Sequence, residues 1–129
     1  MTDSVKFIGR VSSPLKKLQD CPRQESEQAP PAVLTISPEY KKAMNDLTVG
    51  MEIVVLTWFH KANRETQVTK PRNDPKAPDT GVFATRSPDR PNPIGMHVVL
   101  ITAIGKNYIT VNALEALDGT PVIDIKPVI

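Results

Sequence analysis

Short apolar runs, broken every few residues by proline, glycine and small polar side chains, are the main pattern along this chain. Residues 5–11 and 33–36 are short β-like pieces, and 53–59 is apolar, β-branched or aromatic at nearly every position, which predicts a buried central strand. Residues 81–85 form a further strand-like run. Residues 97–104 and 108–117 flank Gly105-Lys106-Asn107, a hairpin turn by composition. In the second arm, Ile109, Val111, Ala113 and Leu117 alternate with Thr110, Asn112 and Glu115, the period of a half-buried strand. One helix is predicted. Ser37 can cap it, Pro38 stands where proline is tolerated, Glu39 suits the positive end of the dipole, and Gly50 closes the segment. Tyr40, Ala43, Met44 and Leu47 then share one face. Residues 63–80 are charged and proline-punctuated with little apolar content, which predicts a mobile loop. Together these elements predict a mainly β protein: one antiparallel β-barrel with one short helix and long rim loops, a single domain over residues 1–129.

Residues 81–95, Gly-Val-Phe-Ala-Thr-Arg-Ser-Pro-Asp-Arg-Pro-Asn-Pro-Ile-Gly, interrupt this pattern most sharply. Pro88, Pro91 and Pro93 fix φ and remove backbone donors, so neither helix nor central strand can form here. A stiff loop results, and Arg86, Arg90 and Asn92 are carried on it in set directions. Ser87 has no Gly-x-Ser-x-Gly elbow around it, which argues against a serine hydrolase.

These residues resemble the signature of the TrmO family (TsaA-like), S-adenosylmethionine-dependent tRNA methyltransferases. Cys21-Pro22-Arg23-Gln24 resembles the family's Pro-Arg-Gln element, and residues 117–127, Leu-Asp-Gly-Thr-Pro-Val-Ile-Asp-Ile-Lys-Pro, resemble its C-terminal motif. The opening Phe7-Ile8-Gly9-Arg10-Val11 and the strand end Trp58-Phe59-His60 agree less distinctively. The resemblance implies a dimeric β-barrel in place of the α/β fold of most methyltransferases. It also implies a short form, since longer members carry a C-terminal extension where this chain has Pro127-Val128-Ile129. The glycines independently disfavour a Rossmann-type turn: Gly9, Gly50, Gly81, Gly95, Gly105 and Gly119 include no Gly-x-Gly. A nucleotide-like cofactor would then be held by loops on a barrel rim.

By resemblance the cofactor is S-adenosyl-L-methionine, and its contacts fall on Pro22, Arg23, Gln24, His60, Lys61, Arg86, Met96, Leu117, Asp118, Gly119 and Thr120. The residue types suit that ligand. An arginine presents planar donors to a carboxylate, Asp118 can receive an ammonium, Gly119 admits close backbone approach and Thr120 adds a hydroxyl. Met96 is either core or a polarizable surface for an adenine, His60 either a rim residue or a functional one, and Asp118-Gly119 alone is a plain turn signal. Arg86 and Arg90 are the strongest single candidates. No catalytic residue is identified outright; His60, Arg90, Asn92 and Asp118 are the candidates, with His60 ahead of Asp118 as a general base.

Composition narrows the setting. Apolar content of 40% and charged content of 23% in 129 residues describe a soluble globular domain, with neither a membrane span nor a secretory leader. Cys21 is the sole cysteine, which excludes an internal disulfide and suits the cytoplasm. Cys21, His60 and His97 lack metal-ligand spacing, so no metal centre is expected. Net charge is only +2, yet residues 60–90 hold seven basic side chains (Lys61, Arg64, Lys70, Arg72, Lys76, Arg86, Arg90) against four acidic ones. That excess suits a phosphate-rich partner, although from charge alone a solvated charged face is the better explanation. The reading is a methyltransferase acting on N6 of threonylcarbamoyladenosine beside the tRNA anticodon, binding tRNA and not DNA, and working as a homodimer. The alternatives are a non-catalytic barrel that binds RNA or a nucleotide-like metabolite, and a methyltransferase with another acceptor.

Overall fold

A computed structural model of the chain describes residues 3–16, 29–71 and 74–129. Cys21, Pro22, Arg23, Gln24 and Arg72 lie outside these residues. Strands β1 (Gly9–Ser12), β2 (Ala32–Ile36), β3 (Glu52–Trp58), β4 (Val68–Thr69), β5 (Thr80–Gly81), β6 (Ile94–Ile104), β7 (Tyr108–Val111) and β8 (Pro121–Pro127) follow in order. Six of them close into an antiparallel barrel in the order β1-β2-β7-β6-β3-β8, and β4 pairs with β5 as a separate two-stranded ribbon. Closure leaves the barrel no unpaired edge.

Alternation along the strands fills the interior. Val11, Leu34, Ile53, Val55, Val99, Ile101, Ile109 and Val111 point inward and are buried. Two register shifts bend the wall: Ile123 is the extra residue of β8 opposite Leu56 and Thr57, and Thr102 that of β6 opposite β7. Such bulges tighten the local twist that closure requires.

The run at 53–59 is buried on one face only. Ile53, Val55 and Thr57 are fully buried, whereas Val54, Leu56 and Trp58 are half-buried on the outer wall. Across from them on β6, Ile94, Met96, Val98 and Leu100 are 39–52% exposed, with Trp58 opposite Ile94, Leu56 opposite Met96 and Val54 opposite Val98. The barrel thus carries an apolar stripe on its outside.

The helix at 38–44 is a 3-10 segment, Pro38–Met44, with Tyr40 off helical geometry at φ −106°, ψ 15°. Ser37 makes no side-chain cap bond; instead Tyr40 N–H donates to its carbonyl at 2.9 Å. So short a segment recovers little of the nucleation cost of an α-helix, and tight three-residue closures prevail. Tyr40, Met44 and Leu47 still pack on the core, but Ala43 is exposed. Residues 63–80, expected as a loop, contribute β4, with Val68 opposite Gly81 and Thr69 opposite Thr80. The strand expected at 81–85 stops at Gly81 and turns into a second 3-10 segment, Val82–Ala84.

Candidate functional site

Order round the barrel decides what can meet. β6, β3, β8 and β1 are consecutive and antiparallel, so at one rim four chain segments stand side by side. They are the proline-rich loop entering β6, the turn leaving β3 at His60 and Lys61, the turn Leu117 to Thr120 entering β8, and the segment Ser13 to Lys16 leaving β1. Residues remote in sequence, and expected by resemblance to share a site, are brought to that rim.

The proline-rich loop is wound around one guanidinium. Arg90 Nε donates to the Ser87 carbonyl at 2.9 Å, and Nη2 donates to the carbonyls of Thr85 at 2.6 Å and of Val82. Thr85 Oγ1 donates to the Val82 carbonyl at 2.9 Å and accepts from Ser87 N–H at 3.1 Å. Arg90, paired with Arg86 as a leading ligand candidate, therefore spends its donors inward on main-chain carbonyls. Its geometry is that of a loop organiser. Arg86 is exposed and makes no ion pair or hydrogen bond among the described residues. Its fork is presented to solvent.

The neighbouring turn is tied to this loop by main chain and side chain. Phe59 N–H donates to the Pro93 carbonyl at 2.8 Å, and Asn63 N–H to Asp89 Oδ1 at 2.9 Å. Beneath it, Thr57 Oγ1 and His97 Nε2 are 2.8 Å apart and buried, and the Phe59 ring stands edge-on to His97, 5.8 Å between centroids. Gly95 leaves room for this plug: a Cβ there would lie 2.5 Å from both Phe59 Cζ and Thr57 Oγ1. His60 lies above, its pKa held below the ordinary 6.5 by partial desolvation of the ring, then by the cations Lys61 and Arg10. It is neutral at physiological pH and can accept a proton.

The third segment is a tight turn. Gly119 takes φ +86°, which glycine adopts without strain, and nothing stands within 4 Å of where a side chain would begin. Its carbonyl accepts from Arg10 Nη1 at 3.3 Å. Thr120 is buried and its hydroxyl donates to the Leu117 carbonyl at 2.7 Å, so the hydroxyl expected to face a ligand is engaged in its own turn. Leu117 is buried as well. Asp118 accepts from Ser13 N–H at 3.0 Å and pairs with Lys16 Nζ at 3.0 Å. The Ser13 amide first, then Lys16, hold its carboxyl below the usual 3.8. This makes Asp118 a weak base and a persistent anion, fit to receive an ammonium.

The sign of the Asp118 shift gives a test. A carboxyl with a depressed folded pKa contributes stability that is present above its unfolded pKa and is lost as pH falls through the folded value. The melting temperatures of the native protein and Asp118→Asn are expected to differ by a constant gap above about pH 4, closing progressively below it. A gap unchanged down to pH 2 would sever Asp118 from Ser13 and Lys16.

Met96 lies on the outer face of β6, 47% exposed, which removes the core alternative and sets it on the wall beside Leu56. Asn92 is exposed at the loop's end, its backbone carbonyl accepting from Ile94 N–H at 2.7 Å. Arg10, Ser13 and Lys16 belong to the rim although residue patterns did not single them out. Arg10 is one of the outward positions of β1, but only the pairing of β1 with β8 brings it against the Gly119 carbonyl and near enough to His60 for its charge to be felt there. Two grooves flank these segments. One of about 240 Å³ is lined by Ser12, Ser13, Pro14 and Pro31, among others, and one of about 310 Å³ by Gln67, Val82, Phe83 and Pro91, among others.

Comparison with known proteins gives this rim a context. The chain is 42% identical over 122 residues to an S-adenosyl-L-methionine-binding protein of Archaeoglobus fulgidus, covering 95% of this chain and 86% of that one. It is 37% identical over 124 residues to a probable S-adenosyl-L-methionine-binding protein, VirR, of Rhizobium radiobacter, covering 96% of this chain and 70% of that one. The crystal structure of TrmO from Pseudomonas aeruginosa superposes with a TM-score of 0.76 at 30% identity, over all of this chain and 57% of that one. The chain thus spans little more than half the length of that TrmO chain. The family model of the tRNA-methyltransferase O N-terminal domain matches residues 10–129, nearly the whole barrel, and the chain belongs to that family.

Proposed function

We propose that this barrel binds S-adenosyl-L-methionine at the rim formed by β6, β3, β8 and β1 and methylates N6 of threonylcarbamoyladenosine beside a tRNA anticodon, as a cytoplasmic homodimer. The observation that carries the reading is that four consecutive strands set the loop carrying Arg86, the His60–Lys61 turn and the Asp118–Gly119 turn at one rim. The residues fit the ligand. Arg86 offers an unspent guanidinium to a carboxylate, Asp118 keeps a negative charge for an ammonium, and the open turn at Gly119 admits a ribose or base. Pro22, Arg23, Gln24, Leu117 and Thr120 complete the proposed contacts, the last two through their main chain.

When bound, the cofactor supplies an electrophilic sulfonium methyl. The chain's part is to align the acceptor nitrogen with it and to exclude competing water, since positioning alone can be worth roughly 7–11 kcal/mol. Neutral His60 would take up the proton that the acceptor nitrogen loses as its bond to the methyl carbon forms and the methyl–sulfur bond breaks, the pair of electrons staying on sulfur as a neutral thioether. Arg90 acts by holding the loop that presents Arg86.

The basic segment is reduced to fewer phosphate ligands than its composition suggested. Lys70 pairs with Asp79 at 2.9 Å and donates to the Ala77 carbonyl, and Arg90 is spent inside its loop. Among the described residues Lys61, Lys76 and Arg86 make no ion pair. With tRNA bearing threonylcarbamoyladenosine, KM for RNA is expected to rise steeply with salt, because each neutralised phosphate releases counterion. Lys76→Glu should raise KM further and leave cofactor affinity unchanged, since phosphate contacts position the RNA without building the donor pocket. Salt-independent kinetics, or no methyl transfer to that RNA, would refute the acceptor.

A further inference from the structure

Arg64 is the side chain that the proposed reaction leaves unassigned, although three features of the rim converge on it. Its Nε donates to the Pro91 carbonyl at 2.8 Å, its Nη2 reaches Asn92 Oδ1 at 3.4 Å, and its Cζ lies 5.1 Å from the centroid of the Trp58 ring. One guanidinium thus connects the last residue of β3, the turn that follows it and the far end of the proline-rich loop. Asp89 makes a parallel tie through Asn63 N–H at 2.9 Å. Between these two ties and β3 sit His60 and Lys61, while the loop held on the other side carries Arg86.

We propose that Arg64 is a positioning residue for cofactor binding, clamping the His60–Lys61 turn to the proline-rich loop and so fixing the separation between Lys61 and Arg86. The role needs a guanidinium. A planar fork can bond a carbonyl and an amide oxygen along its edge while its face lies on an aromatic ring, and an ammonium on a flexible stem cannot do both. The proline-rich loop is internally rigid around Arg90, so a clamp on its far end sets the placement of the whole loop. This inference rests on the reading that S-adenosyl-L-methionine binds at this rim.

The sole tryptophan of the chain is Trp58, so its emission reports directly on the clamp. The experiment compares the native chain with Arg64→Ala, Arg64→Lys and Asp89→Ala by calorimetric titration with S-adenosyl-L-methionine, Trp58 emission and thermal melting. Arg64→Ala is expected to alter Trp58 emission without ligand and to weaken cofactor binding about ten-fold, the size of one lost charge-assisted contact. Methylguanidinium added to Arg64→Ala should restore part of that affinity. Arg64→Lys should remain closer to Arg64→Ala than to the native chain, and Asp89→Ala should show a smaller loss of the same kind. Native affinity in Arg64→Ala, with Trp58 emission showing the contact gone, overturns the proposal. Native affinity in Arg64→Lys does so too, because charge alone would then suffice. Should Arg64→Ala fail to fold, Arg64→Lys and Asp89→Ala decide. A native chain that does not bind the cofactor refutes the underlying reading, an outcome distinct from both.

Discussion

Arg86→Ala is expected to weaken S-adenosyl-L-methionine binding by about ten- to a hundred-fold, the usual consequence of removing a charge-assisted hydrogen bond worth roughly 1.5–3 kcal/mol. The melting transition should stay where it is, because Arg86 is exposed and makes no bond within the described chain. Arg90→Ala is expected to lower both quantities. It removes the donors on which the carbonyls of Val82, Thr85 and Ser87 converge in a half-buried loop, and partner groups left unsatisfied cost about 1–3 kcal/mol. Calorimetric titration together with scanning calorimetry separates the two variants. If Arg86→Ala binds and melts like the native chain, Arg86 is no ligand. If Arg90→Ala loses affinity with an unchanged transition, Arg90 touches the cofactor itself and the loop stands without it.

The contrast between these two arginines shows where sequence reading ends. Three prolines announced a stiff loop and the residue types announced a cationic one, but the two guanidiniums look alike in sequence. Arg90 turns inward because main-chain carbonyls of its own loop offer acceptors there, and no residue type signals where a carbonyl will point. The barrel was legible because its strands alternate and its turns carry glycine, proline or asparagine. Errors arose where apolar patterning and hydrogen-bond ladder part company. The expected alternation holds only to Asn112: β7 ends at Val111, and the buried positions then change phase to Leu114 and Ala116, leaving Ala113 half-buried. Beyond β7 Asn112 Oδ1 accepts from Leu100 N–H, and Leu114 N–H turns to the Pro30 carbonyl. Leu114, Ala116 and Leu117 remain buried without belonging to a strand. The ribbon β4–β5 escaped notice for the opposite reason, since two-residue strands have no period to read. The rim itself needs the pairing of β1 with β8, a contact between opposite ends of the chain that local patterns do not encode.

Val98→Asp is expected to turn a dimer into a monomer and, in doing so, to weaken cofactor binding. The outer wall at β3 and β6 keeps Ile94, Met96, Val98 and Leu100 partly in water, in register with half-buried Val54, Leu56 and Trp58. A contiguous apolar face of this kind is costly to leave in solvent, and the proposed homodimer would cover it. Asp124 and Lys126, opposite Leu56 and Val54 on β8, border it with an ion pair at 3.2 Å, the polar margin typical of an interface. A carboxylate at residue 98 would be harmless in the isolated barrel, where Val98 is 52% exposed, but it would meet the partner's apolar wall without a counter-charge. Sedimentation should therefore show a dimer for the native chain and a folded monomer for the variant. Cofactor affinity should fall with the dimer, because Met96, a proposed contact, stands on this same wall. A native chain that sediments as a monomer would remove the interface. A monomeric Val98→Asp that binds the cofactor as tightly as the dimer would instead confine the whole site, Met96 excepted, to the rim of a single barrel.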